Sequence, residues 1–187
     1  MKKQIFISLL GILIVLNTTA QGKNEYKNSV RIGTLPLIRG AAHISYEKIL
    51  DKSSFVTIGE ITSFKTDYTQ VKGYMGELQY RFFIVKNEMS TGIEMEHFYF
   101  APFVSYRYFN QIKSGYNDKI NTSLCGALLG VRLSNAQRLV LDFNIGPAYR
   151  YSDLLTERRE NDYDNNILGL GYNGITLAGN ITVGVKF

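Results

Sequence analysis

Between Ser29 and Phe187 the apolar residues recur at every second position over long stretches, and this period constrains the fold more than any other feature of the chain. Successive side chains alternate faces along a β-strand, whereas a helix gathers residues three and four apart, so a two-residue period cannot be laid on one helical face. The last stretch is the cleanest. Ile175, Leu177, Ile181, Val183, Val185 and Phe187 fall on odd positions, Thr176, Asn180, Thr182 and Lys186 fall between them, and Gly174, Ala178 and Gly184 share the polar face. In the same way Leu139, Leu141, Phe143, Ile145, Tyr149 and Tyr151 oppose Asp142, Asn144, Gly146 and Arg150, and Leu78, Tyr80, Phe82 and Ile84 oppose Glu77, Gln79 and Arg81. Two segments carry exceptions. From Phe98 to Ile112, Phe98, Phe100, Val104, Tyr106 and Tyr108 oppose Ser105 and Arg107, yet Phe103 and Phe109 stand on the polar side. From Asn121 to Ser134, Ala127, Leu129, Val131 and Leu133 oppose Gly126, Gly130 and Arg132, while Leu124 and Leu128 break the assignment.

Adding Ser29 to Leu37, Ala41 to Leu50 and Phe55 to Phe64 gives eight candidate strands, the number a small closed barrel needs. Connections at one end are short: Asp51 to Ser54, and Asn135 with Ala136. Those at the other are long: Lys65 to Gly73, Lys113 to Lys119, and Ser152 to Gly171, the last rich in Glu, Arg, Asp and Asn. Pro36 to Gly40 and Lys86 to Gly92 fit this rule less well. The pattern predicts an all-β chain folded as an eight-stranded antiparallel up-and-down transmembrane β-barrel, apolar outside and polar inside. Periodicity alone also admits the inverse, a secreted lipocalin-like barrel with its apolar face turned inward around a ligand.

The N-terminal segment reads as an address. Lys2 and Lys3 precede an apolar run from Ile5 to Leu16, too short for a comfortable span, and Thr18, Thr19 and Ala20 supply the small residues of a cleavage site. Residues 1–20 are therefore expected to be a signal peptide, 21–28 a lead-in and 29–187 the barrel domain, with no lipid-anchoring cysteine after the apolar run. Beyond it no apolar stretch approaches the roughly 20 residues of a transmembrane helix. The formal net charge is +5, part of it from Lys2 and Lys3, too mild to argue for nucleic acid. One cysteine and two histidines exclude an intrachain disulfide framework and leave little for a metal cluster, so no cofactor is expected.

The run Ile181-Thr-Val-Gly-Val-Lys-Phe187 resembles the C-terminal signal of outer-membrane barrels, whose terminal aromatic residue the barrel assembly machinery recognises; Phe187 would serve that role. Tyr46, Tyr80, Tyr106, Tyr149 and Tyr172, near predicted strand ends, suit a bilayer interface. The segments Ile44-Ser-Tyr-Glu-Lys48 and Tyr99-Phe-Ala-Pro-Phe103 resemble a family of small eight-stranded outer-membrane barrels of Gram-negative bacteria without assigned function, of OmpA/OmpX-like layout. The resemblance covers roughly Ser29 to Phe187 and implies architecture, with no catalytic residues.

An inward polar face would collect Arg31, His43, Glu47, Glu77, Gln79, Arg81, Arg107, Arg132, Asp142, Asn144, Arg150 and Lys186. Side chains fill an interior of this size, so ion pairs and hydrogen bonds are expected there in place of an open pore. His43, Ser45 and Glu47 share one face of the second strand and contain the three group types of a serine hydrolase. The His-x-Ser pair also resembles outer-membrane lipid A deacylases, which implies a lipid hydrolase as the alternative. Residues two apart on a strand are about 6.6 Å apart, which disfavours direct relay. Glu94, Glu96 and His97 could form a metal site, though an interfacial polar cluster is the favoured reading. Residues 157–166 lack the spacing of a calcium loop. Cys125 is expected to face lipid. The expected role is structural or surface-interacting and non-enzymatic, for a monomer among outer-membrane lipids, with residues 152–171 available to an extracellular ligand.

Overall fold

The structure, a computed structural model, describes residues 26–38, 40–65, 69–86, 93–113, 116–135, 138–155 and 173–187. Its strands are β1 (Asn28–Gly33), β2 (Ala41–Ile49), β3 (Ser53–Lys65), β4 (Thr69–Lys86), β5 (Glu94–Lys113), β6 (Tyr116–Ser134), β7 (Leu139–Leu155) and β8 (Gly174–Lys186). Each pairs antiparallel with its sequence neighbours and β8 pairs with β1, closing an eight-stranded barrel in which no strand edge is left over at the seam. At the lower end, where the termini of the described chain meet, Asn28 N donates to Phe187 O at 3.1 Å and Phe187 N to Asn28 O at 2.9 Å.

The alternation survives in three dimensions. On β2, Ala41, His43, Ser45 and Glu47 are buried while Ala42, Ile44, Tyr46 and Lys48 are exposed. Phe103, Leu124 and Leu128 point inward and pack with Tyr99, Ala101 and Ala148, so these residues fill one side of the lumen; β5 is irregular at its lower end, where the register with β6 shifts between Met95 and His97. Cys125 is exposed on the outer face.

Several boundaries differ from expectation. The first strand ends at Gly33, and Thr34–Ile38 forms a short helix, α1, where an extended segment to Leu37 was expected. Pro36 lacks the N–H a ladder needs but is tolerated in a first helical turn. Thr34 Oγ1 ties α1 to β8 by donating to Ile181 O at 3.1 Å, and Gly40 turns the chain toward β2 at φ 78°. Much of the predicted loops Lys65–Gly73 and Lys113–Lys119 is strand instead: β4 begins at Thr69 and β6 at Tyr116. Residues 135–138 lie between β6 and β7, where a two-residue turn was expected; Asn135 Oδ1 accepts from Leu139 N at 2.9 Å, and Arg138 adopts φ 82°. Residues 1–25 and 156–172, with the expected signal peptide, Tyr172 and most of the 152–171 loop, lie outside the described residues.

The lengthened strands change the polarity of the upper wall. There Val71, Phe109 and Ile120 are buried inside with Phe64 packed on them, and Lys65, Lys72 and Lys119 stand outside. Lower down the assignment is reversed. The outer face carries Ile44, Ile61, Tyr74, Leu78, Phe82, Ile84, Val104, Ile145, Ile175 and Leu177, from 46% to 77% exposed, over a polar interior. Tyr74 and Tyr108 stack at 5.3 Å near the upper margin of this apolar belt.

Candidate functional site

The middle of the lumen is a layer of five charged side chains from five strands: Arg31 (β1), Glu47 (β2), Arg81 (β4), Arg132 (β6) and Asp142 (β7), each 2% exposed or less. Period two points all of them inward, and closure of the wall makes distant strands into neighbours. Arg31 Nη1 bridges the carboxylates at 3.0 Å from each. Arg81 Nη1 lies 2.6 Å from Asp142 Oδ2 and 3.8 Å from Glu47 Oε1. Arg132 Nη2 pairs with Glu47, which also accepts from Ser29 Oγ at 3.2 Å and from Ser54 Oγ. Buried charges lose several kcal/mol of hydration each, so a layer of this kind is tolerable only where lone pairs and N–H groups find partners.

Orientation of the layer comes from neutral groups. Gln79 Oε1 accepts from Arg81 Nε at 3.1 Å and Nη2 at 2.9 Å, fixing the guanidinium plane. That plane lies over the Tyr99 ring, 4.3 Å from its centroid, a cation–π arrangement. Tyr99 OH donates to Asp142 Oδ1 at 2.8 Å, and Asn144 Nδ2 donates to the same oxygen at 3.2 Å. Gly130 makes this possible, because a Cβ there would run into the Tyr99 ring.

Above the layer, His43 Nδ1 faces Glu60 Oε2 at 3.2 Å and His43 Nε2 faces Asn180 Nδ2 at 2.9 Å. Arg107 lies within electrostatic reach of Glu60 and Glu77. Below it, Lys186 Nζ lies 3.0 Å from Glu96 Oε1 and donates to Ser134 Oγ at 3.1 Å, while Ser134 Oγ donates to Glu96 Oε2 at 2.9 Å.

All twelve residues expected in the lumen face it, but His43, Ser45 and Glu47 are not brought together as a relay. Both ring nitrogens of His43 are engaged elsewhere, Glu47 is held by arginines and serines, and Ser45 Oγ has no hydrogen-bond partner among the described residues. His97 is buried at the lower end, stacked on Phe83 at 3.9 Å, with Nε2 3.9 Å from Glu96. Among the described residues no group of three or more His, Cys, Asp or Glu could hold a metal ion. Sequence reasoning missed Tyr99 and Glu60, and it placed Asn180 on the polar face without giving it a role. Their signal was the alternation itself: with Phe98 and Phe100 outside, Tyr99 must be inside.

The outer wall carries a depression of about 590 Å³ over Gly76, Ser123 and Cys125, rimmed by Leu78, Val104, Tyr106, Tyr149 and Tyr151. Among the described residues no helix is long and apolar enough to cross a membrane. No protein-family model, curated protein or solved structure matches the chain.

Proposed function

We propose that the chain is an outer-membrane β-barrel with a structural or surface-interaction role, its lumen filled by polar side chains and without an open pore. The carrying observation is the belt of large apolar residues on the outer wall, bounded above by the exposed lysines Lys65, Lys72 and Lys119. Water would penalise so much exposed hydrocarbon, and hydrocarbon would penalise the lysines, so a boundary between the two solvents accounts for both. The dimensions agree. On β4 the outer apolar face runs from Tyr74 to Ile84, about 33 Å along the strand, which at a tilt of about 40° is about 25 Å of height, the thickness of an outer-membrane hydrocarbon band. A secreted lipocalin-like barrel needs the opposite wall, apolar inside and wet outside. The lipid-hydrolase reading draws no support from His43, Ser45 and Glu47 as arranged.

In this reading residues 1–20 direct export, Phe187 is presented to the assembly machinery, the lower end faces the periplasm and the upper rim faces outward. The 152–171 connection is then the surface element, available to lipopolysaccharide sugar or another external partner, and the buried arginine–carboxylate layer closes the lumen of a monomer. The test is extraction: the protein should leave an outer-membrane fraction only with detergent and should migrate differently on gels before and after boiling. Recovery in the soluble fraction without detergent would overturn the proposal.

A further inference from the structure

The depression on the outer wall lies inside the apolar belt, and the register sets its shape. Gly76 on β4 pairs with Tyr106 on β5, Tyr106 with Ser123 on β6, and Ser123 with Tyr151 on β7. Gly76, Ser123 and Cys125 are therefore low points among large outward neighbours, and the hollow they leave measures about 590 Å³, within the size range of ligand sites. It is open space: a Cβ on Gly76, or on its β3 partner Gly59, would meet nothing within 4 Å. Tyr106 is fixed at the upper rim, its OH donating to Asn121 Oδ1 at 3.0 Å.

Positive charge stands above the hollow. Two outward positions up from Gly76 and Ser123, Lys72 on β4, Asn110 on β5 and Lys119 on β6 share one register row. The two exposed lysines are thus two strands apart, about 10 Å, and about 14 Å along the strands from the hollow, which at the tilt of a small barrel is about 10 Å of height. Among the described residues of this upper wall, Lys65, Lys72 and Lys119 face out against one carboxylate, Asp153, which stands on β7 in register with Asn121, so a positive surplus remains after it is counted.

We propose that this face of the barrel holds one phosphate-bearing lipid of the outer leaflet, an acyl chain lying in the hollow over Gly76 and Cys125 and the phosphate taken by Lys72 and Lys119. The inference rests on the outer-membrane reading and adds a specific lipid to it. A hollow walled by hydrocarbon and aromatic rings loses dispersion contacts unless a flexible apolar chain fills it. The lysines call for an anion, and ammonium-to-phosphate hydrogen bonds are of the strong, charge-assisted kind. One amphiphile supplies both at the observed separation, and the long lysine side chains can reach its head while their stems lie along the wall. A second copy of the chain suits the face less well, because two barrels upright in one bilayer and joined here would set the lysine pair of one against that of the other.

The experiment is native mass spectrometry of the full refolded barrel in neutral detergent, titrated with diphosphoryl lipid A and, separately, with lipid A stripped of its phosphates. One diphosphoryl lipid should be retained per barrel at concentrations where the stripped lipid is not. Lys72→Gln with Lys119→Gln should weaken retention about tenfold or more, since each lysine near an anionic head contributes on that scale. Gly76→Phe, which grows into open space, should weaken it as much while keeping the folded gel mobility; should that variant fail to fold, Ser123→Phe fills the same hollow from β6. Equal retention of the stripped lipid, undiminished retention in the lysine or the hollow-filling variant, or a dimer that the hollow-filling variant disperses overturns the proposal, the last by giving the hollow to a second copy. Each of these failures leaves detergent-dependent extraction untouched, whereas recovery of the protein without detergent would remove the outer-membrane reading itself.

Discussion

Replacing Asp142 by Asn changes charge while nearly preserving shape, and the structure sets the size of the effect. The carboxylate accepts from Arg31 Nη1 at 3.0 Å, Arg81 Nη1 at 2.6 Å and Nη2 at 3.3 Å, Tyr99 OH at 2.8 Å and Asn144 Nδ2 at 3.2 Å. An amide keeps one accepting oxygen and turns its NH2 toward donors, so the three arginines are left facing Glu47 alone. Removing one partner of a buried ion pair costs about 3–5 kcal/mol, and the lost acceptor places Asp142→Asn near the middle of that range. About 4 kcal/mol is roughly a thousandfold in the folded-to-unfolded ratio. The assay is urea unfolding of the detergent-solubilised barrel at fixed salt, comparing midpoints at equal slope. The companion variant is Arg81→Met with Asp142→Leu. It removes a cation with the anion, so it should be more stable than Asp142→Asn, by about 2 kcal/mol or more, since apolar replacement of a whole buried pair is often neutral. An Asp142→Asn cost below about 1 kcal/mol, or a double variant no better than the single, would refute the view that this carboxylate holds the layer together.

Deleting Phe187 should impair assembly, because it ends the outward apolar series and its backbone closes the wall against Asn28; an unchanged yield of folded protein in the membrane would count against this. Ser45→Ala should leave lipid composition unchanged in expressing cells, whereas an acyl chain lost with the native protein and retained with the variant would establish a hydrolase. A tag near Asn161 should be stained on intact cells and one at Asn135 only after the outer membrane is opened; the reverse pattern would invert the barrel. Gly184→Ala should cost about 1–3 kcal/mol in urea unfolding, because its Cβ would press on the Val30 carbonyl and lie 2.6 Å from Arg31 Cα. Gly76→Ala, whose Cβ meets nothing within 4 Å, should change stability by about 0.5 kcal/mol or less. Equal costs at the two glycines would contradict the close approach of β8 to β1.

The wall was legible wherever a strand meets one solvent on each side. β7 and β8 read correctly because a polar interior faces an apolar exterior along most of their length, and the same contrast named the arginines and carboxylates of the central layer. Legibility failed where that contrast reversed. Val71 and Ile120 lie inside the upper wall while Lys72 and Lys119 face out, so polar residues there suggested loops when they were the wet side of a continuing strand. Phe103, Leu124 and Leu128 looked like phase errors because a polar lumen was assumed to be uniformly polar; they pack against one another on one side of it. Leu35 and Leu37 stand two apart but on the opposite parity from Val30 and Ile32, and Pro36 between them cannot serve a ladder, so the chain turns into α1. The Glu60–His43–Asn180 contact joins residues far apart in sequence, and only the closed register brings them together.

The join between β1 and β8 gives the barrel a clock as well as a shape. β1 has six residues, against twenty in β5, and it must pair with the strand from the opposite end of the chain. Every other pairing joins sequence neighbours, so loop-closure entropy favours forming those first and leaves the longest closure to the end. Contacts made after the rate-limiting crest resist escape without hastening arrival. The few ladder bonds along Ser29 to Gly33, with Thr34 clasping Ile181 above and Asn28 clasping Phe187 below, therefore govern how long a finished barrel lasts. Changes confined to that join should alter its lifetime while leaving the time it takes to form almost untouched.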